Sequence, residues 1–378
     1  MTGLVITSMG AVTSVGRDAL CACAAIRARI TRPSPLSYFR EVVAETQEEA
    51  PLTGHPIRGY TEGFDLTGRW LRLALGGVES LLGSAGAPKA GDVGFWSRTG
   101  LVAVLPHRED LLRSHAPQED GAMVAPTALA LRKRLRLAIP EQRIGLVARG
   151  HAGVAVAIEQ ARQWLEGSGL ERVLVVAADS YLTPLPLKRL ERQRRLKSQG
   201  RPVGLQPGEA GVAFLLETAV GARRRNARVL ARVSAVATAL ELVDERTPRL
   251  FSGAALAGCL QQVMEPTGGT RPFAGEILVD LTGEEWRARL WGSALVRTRF
   301  QEAPRVRSPA SSVGDTGAAS GALGICLAAH GFLRPWVGSS GAVVVSCSDD
   351  GRVGCVALLP AVGGAGAEAA ARLFGAMP

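Results

Sequence analysis

The chain has 378 residues, 47% of them hydrophobic, and its 44 Lys and Arg against 34 Asp and Glu give a formal charge of +10. That length holds two domains or one large duplicated domain. No stretch approaches the ~18 uninterrupted apolar residues of a membrane span, and the apolar start Met1-Thr-Gly-Leu-Val-Ile6 lacks a preceding basic region, so it reads as a first strand and a cytoplasmic location is expected.

The basic excess is mostly arginine and gathers at 132–134, 188–201 and 223–225. Such a balance favours acidic partners or nucleic acid. No aromatic residues interleave with these runs to stack on bases, so solvated faces or an acidic protein partner are expected, with nucleic acid disfavoured. The six cysteines (Cys21, Cys23, Cys259, Cys326, Cys347, Cys355) form no CxxC and have no histidine at metal spacing. They read as buried thiols rather than a zinc site or a disulfide framework, and neither metal nor cofactor is expected.

In chain order, 4–8 is a short apolar strand, and Gly10 to Gly16 reads as a glycine-bounded loop. Asp18 caps a helix to about residue 29, with Leu20, Cys23, Ala24 and Ile26 as inner positions. The Pro-rich stretch 31–64 reads as a flap. A helix over 68–82, a buried strand over 99–104 and a basic helix over 128–137 follow. A strand over 146–148 then enters a helix over 154–166, where Val154, Ile158, Ala161 and Leu165 share one face. Strands at 173–178 and 209–217 complete a first half. The second half repeats the pattern: strand 229–238, helix 253–264, strand 276–280, helix 284–295, a glycine-rich turn opening a helix to His330, and a hairpin of 341–347 with 352–359 around Asp349-Asp-Gly351. Alternating β and α elements predict an α/β fold with a mixed sheet covered by helices. Two similar halves, 1–225 and 226–378, predict an internal duplication.

The segment Gly145-Leu-Val-Ala-Arg-Gly-His-Ala-Gly153 has the layout of a nucleophile elbow, a strand running through a tight turn into a helix, but its tip is Gly150. Val5-Ile-Thr-Ser-Met-Gly-Ala-Val-Thr-Ser-Val-Gly16 resembles the opening of the β-ketoacyl-acyl-carrier-protein synthases. The elbow and the strand to Asp179, Gly208-Glu-Ala-Gly211, and Val313-Gly-Asp-Thr-Gly-Ala-Ala-Ser-Gly321 resemble later blocks of that family in the same order. The resemblance implies a thiolase fold of two duplicated α/β halves in an αβαβα layered arrangement. It also implies a homodimer, or a heterodimer with another thiolase-fold chain.

The family's reaction uses a cysteine thiolate at a helix N-terminus and two histidines that stabilise an enolate and an oxyanion. Aligned by motif, those positions fall on Gly150, Thr282 and Asp315. Glycine offers no atom for an acyl-enzyme, and an ionised Asp315 repels an enolate, so no ketosynthase activity is expected. A one-residue slip would bring Arg149 or His151 to the tip. Each reads either as a structural residue or as a repurposed group, and an Arg149–Asp315 ion pair filling the site is one expectation. Asp315 itself reads as a helix cap or as a charged pocket wall, while His107 and Asp349-Asp350 read as loop and turn residues.

The opening Val12-Thr-Ser-Val-Gly16 and Cys23-Ala-Ala-Ile-Arg-Ala28 resemble a divergent branch associated with type VI secretion modules. That implies an adaptor or scaffold whose partner is an effector, a tip protein or another adaptor; across the readings the expected protein partner is an effector, an adaptor or an acyl carrier protein. The alternatives are a chain-length-factor-like partner subunit of a ketosynthase, a repurposed acyl-binding or acyltransferase enzyme, and a nucleic-acid binder. Partner contacts are expected at 31–64 and 188–201.

Overall fold

The computed structural model describes residues 3–42, 47–107, 124–167, 169–241, 251–265, 273–298, 300, 303–334 and 341–361. Its first half runs β1 (Leu4–Thr13), α1 (Ala19–Arg27), β2 (Ser34–Val42), β3 (Glu49–Gly54), α2 (Leu66–Leu82), α3 (Val93–Trp96), β4 (Thr99–Leu105), α4 (Val124–Leu135), β5 (Ile144–Ala148), α5 (Gly153–Gly167), β6 (Arg172–Ser180), α6 (Pro184–Arg192), β7 (Glu209–Thr218) and α7 (Ala219–Arg224). The second half runs β8 (Ala231–Leu240), α8 (Ala254–Met264), β9 (Glu276–Val279), α9 (Glu285–Arg297), β10 (Arg305–Arg307), α10 (Ala310–Val313), α11 (Ser320–Phe332), β11 (Ala342–Cys347) and β12 (Arg352–Leu359).

Ten strands form one sheet in the order β10-β9-β11-β12-β8-β1-β7-β6-β4-β5. The order is a palindrome. Setting aside the separate β2–β3 hairpin, each half places its own strands in the order third, second, fourth, fifth, first. Strand directions repeat as well: β4 is parallel to β5 and β6, as β9 is to β10 and β11, and the remaining pairs in each half are antiparallel. The halves meet where β1 pairs with β8 over Leu4 to Ile6.

The helices complete five layers. α5 touches β4, β5 and β6 of its own half and β8 and β12 of the other, while α11 touches β9, β11 and β12 as well as β1 and β7, so both lie between the two half-sheets. Residues 321–331 of α11 are all buried, which is why that helix carries apolar and small residues on every face. α2 covers the outer face of the first half-sheet, and α8, backed by α9, covers that of the second. One hydrophobic cluster fills the central layer and one fills each outer layer.

Several local expectations change. β1 continues through Gly10 to Thr13 because it pairs along β7 as far as Thr13 with Ala210. Gly10 is a close approach rather than a turn: a Cβ there would fall on the carbonyl oxygen of Gly77 and the amide of Leu81 in α2. Asp18 caps α1 as expected, accepting from the Cys21 N–H, but that start turns Leu20 and Ala24 to solvent and buries Ala19, Ala22, Cys23, Ala25 and Ile26. All six cysteines are free, and Cys21 is exposed rather than buried. The flap contains the β2–β3 hairpin. Its Leu36, Phe39 and Leu52 pack with Leu187, Leu190, Leu196 and Leu205 into a satellite cluster, so the flap and the basic segment form one lobe. The basic segment begins in α6, whose Pro184 sits in the first turn, where proline is tolerated. Among the described residues, no helix is long and apolar enough to cross a membrane.

Candidate functional site

The elbow forms. β5 ends at Ala148, and a short 3₁₀ turn over Gly150–Ala152 leads into α5. Gly150 has φ +58°, a left-handed conformation that glycine adopts without the strain a side chain would bring. A Cβ there would lie 3.5 Å from Ser348 Oγ and 3.8 Å from the His107 amide nitrogen, ordinary van der Waals contacts. The second half repeats the device, with a 3₁₀ turn over Gly317–Ala319 leading into α11.

Each half caps the other's turn. The Ala318 N–H donates to Asp179 Oδ2 at 2.8 Å, at the end of β6. The Ala152 N–H donates to Ser348 Oγ at 2.9 Å, and that hydroxyl donates to the Arg149 carbonyl oxygen at 2.6 Å. Burial raises the Asp179 carboxyl to about 7, against the opposing pull of its hydrogen bonds and of His151.

The expected Arg149–Asp315 pair does not form. The Arg149 side chain is exposed, and Asp315 instead accepts from His151 Nε2 at 2.8 Å. His151 and Asp315 are 3% and 1% exposed. His151 is thus satisfied by a distant side chain, not by local backbone. Asp315 Oδ1 also accepts the Gly317 N–H at 2.9 Å, as the helix-cap reading expects. Burial and the neighbouring Arg287 oppose protonation of His151, but the charge and hydrogen bond of Asp315, with Asp280 behind, prevail and hold the imidazole above its usual value. Burial works against ionisation of Asp315 too, and His151, Arg287 and the Gly317 N–H overcome it, so its carboxyl lies below the usual range. The two shifts agree on a buried ion pair.

Arg287, on the first turn of α9 and 2% exposed, extends this pair into a network. Its guanidinium lies 2.9 Å from Asp280 Oδ2, 3.4 Å from Glu284 Oε2, 3.5 Å from Asp349 Oδ1 and 3.3 Å from both ring nitrogens of His151. It also donates to the Cys347 carbonyl oxygen. Asp280 Oδ2 accepts the Cys347 N–H at 2.7 Å. Burial raises the Asp280 carboxyl, and Arg287, His151 and that N–H only partly offset it. Arg195, from the satellite lobe, closes the network by reaching Glu284 at 2.5 and 2.9 Å and Asp349 at 3.0 Å. With His151 protonated, three cations (Arg195, Arg287, His151) face four carboxylates (Asp280, Glu284, Asp315, Asp349).

Of the three positions aligned with the family's reactive groups, Gly150 presents no side chain. Thr282 donates to Glu284 at 3.4 Å, and Asp315 is paired with His151. Thr282 and Asp315 line a cavity of about 20 Å³ together with Leu278, Val344 and Val345, room for a single water molecule. Among the described residues no side chain at the elbow is placed as a free nucleophile, and the charged donors nearest it, Arg287 and His151, are engaged by carboxylates.

Arg287, Asp280, Glu284, Arg195 and Asp349 join the site although no motif in the sequence marks them. Asp349 was expected only to shape the hairpin turn; it does so while binding two arginines. Its neighbour Asp350 pairs with His107 at 3.1 Å. One local signal existed: Glu284 and Arg287 stand three apart at a helix start.

No protein-family model matches the chain, and no curated protein matches it. Solved structures do. A β-ketoacyl synthase from Burkholderia phymatum STM815 superposes with TM-score 0.75 at 18% identity, over 96% of this chain and 100% of that one. The ketosynthase from module 6 of the bacillaene synthase of Bacillus subtilis 168 gives TM-score 0.75 at 14% identity, over 95% of this chain and 72% of that one. The ishigamide ketosynthase/chain length factor gives 0.73 at 15%, over 95% and 99%. At these identities the likeness establishes the fold: an α/β ketosynthase-type thiolase fold.

Proposed function

We propose that this chain is a catalytically inactive ketosynthase-like protein that serves as an adaptor or scaffold for protein partners. The observation that carries the reading is the buried ion-pair network around His151, Asp315 and Arg287, at the place where the resemblance puts a cysteine and two histidines. Decarboxylative condensation needs a thiolate to hold the acyl group and neutral donors aimed at developing negative charge. Here the tip is Gly150, and the nearest charged donors are committed to carboxylates. A repurposed acid–base role for His151 and Asp315 is disfavoured by their burial, at 3% and 1% exposure, and one for Arg149 by its exposure away from the network.

In this reading residues 1–225 and 226–378 are two halves of one scaffold that works as a dimer. The likeness to the ishigamide ketosynthase/chain length factor favours a second reading, a non-catalytic partner subunit of an active ketosynthase. The N-terminal resemblance suggests effector loading in type VI secretion as the setting for the first. Affinity purification of the tagged chain from its native host separates them. An adaptor brings down an effector, a tip protein or another adaptor. A partner subunit brings down a ketosynthase in a stable heterodimer. Recovery of acyl carrier protein alone contradicts the adaptor reading.

A further inference from the structure

The turn after β1, the chain entering β2 and the chain leaving β3 enclose a cavity of about 590 Å³ that shares no lining residue with the small cavity at the elbow site. Its volume falls in the range of small-molecule sites, roughly 300–1,000 Å³. Three arginines, Arg17, Arg32 and Arg58, line it, and no carboxylate among the described residues does. We propose that this cavity binds a small organic phosphate, with the phosphate held by Arg32 and Arg58 and the organic body resting on Pro33, Pro56 and Ile57.

Four observations support the assignment. The Arg32 and Arg58 guanidinium groups form no ion pair with a described residue, and a guanidinium fork matches phosphate oxygens in pairs. Arg17 holds the walls together: it donates to the Arg58 carbonyl oxygen at 2.6 Å and lies 5.2 Å from the Tyr60 ring centre. The acidic groups nearest in sequence are turned to other work, since Asp18 accepts from the Cys21 N–H and Glu62 from the Gly59 and Tyr60 N–H groups. Finally, Ser34 is 6% exposed and lines the cavity, and its hydroxyl, like that of Ser14 beside it, has no hydrogen-bond partner. A buried hydroxyl without a partner is unfavourable, and both of these belong to residues that line the cavity.

The proposal is independent of the adaptor reading and is tested by calorimetric titration of the full chain with phenyl phosphate at constant ionic strength, beside inorganic phosphate and phenol. Saturable one-to-one binding of phenyl phosphate, tighter than inorganic phosphate and absent for phenol, is expected. Arg32→Ala with Arg58→Ala, both on exposed side chains whose loss leaves the core intact, weakens it at least ~tenfold, since a charge-assisted hydrogen bond contributes about that factor or more. Lack of saturation by either phosphate, or unchanged affinity in the double variant, overturns the site. Equal affinity for the two phosphates overturns the organic body, and binding of phenol alone overturns the role of the arginines.

Discussion

Replacing Arg287 with Met keeps an unbranched apolar stem and removes the charge at the centre of the network. At 2.9 Å, the attraction between Arg287 and Asp280 is about 6 kcal/mol gross with an effective dielectric of about 20. Desolvation of the guanidinium cancels much of that in the intact protein. The variant, however, leaves Asp280 and Glu284, at 5% and 4% side-chain exposure, with a charge deficit in the interior. Removing one partner of a buried pair typically costs about 3–5 kcal/mol, a large part of a total stability of roughly 5–15 kcal/mol. The sign with pH follows from Asp280. Its carboxyl is already raised by burial, and loss of Arg287 raises it further. An acid raised in the folded state contributes stability that is complete below its unfolded value and lost as pH rises through its folded value. The deficit of Arg287→Met is therefore greatest near pH 8 and shrinks toward pH 5. Urea denaturation of both proteins at the two pH values measures it, and adding Asp280→Asn should recover part of the loss at pH 8. A deficit under about 1 kcal/mol, or one no smaller at pH 5, refutes the reasoning.

Three further outcomes are expected. His151 titrates above its ordinary value because Asp315 holds its proton, so its contribution is present below about pH 6.5 and lost as pH rises through the folded value; imidazole NMR shifts report it, and His151→Phe should lose more stability at pH 6 than at pH 9. Gly10→Ala drives a methyl into the backbone of α2 and should cost at least ~2 kcal/mol in thermal or urea unfolding. In Gly150→Cys the added Cβ meets only ordinary contacts and the left-handed backbone costs about 1–2 kcal/mol, and the folded variant should still show no condensation when incubated with acyl and malonyl thioesters.

The duplication was legible because it is written locally. Strand and helix periodicities repeat in the same order in each half, and the runs at 173–178 and 342–345 are apolar on both faces. The positions that align with the family's reactive groups could be assigned for the same reason, each lying in a short glycine-containing motif. The network was not, because its pairs are long-range. His151 and Asp315 are 164 residues apart, and Arg195 meets Asp349 across 154. Arg195 lies in a run of basic residues with the composition of a solvated face, yet it is 6% exposed because Leu190 and Leu196 on either side anchor the lobe's small core. Arg287 sits in a helix rich in exposed arginines, and only the carboxylates arriving from β9 and the β11–β12 turn distinguish it. Composition could not separate a buried arginine from a surface one when its partners come from other elements.

The central claim is that the elbow site carries no acyl chemistry. Intact-mass analysis of the purified chain after incubation with acyl-CoA, acyl carrier protein thioester and malonyl thioester tests it directly. The account predicts an unchanged mass and no carbon dioxide released from the malonyl group. A stoichiometric, hydroxylamine-labile adduct mapping to the segment around Gly150 would contradict it.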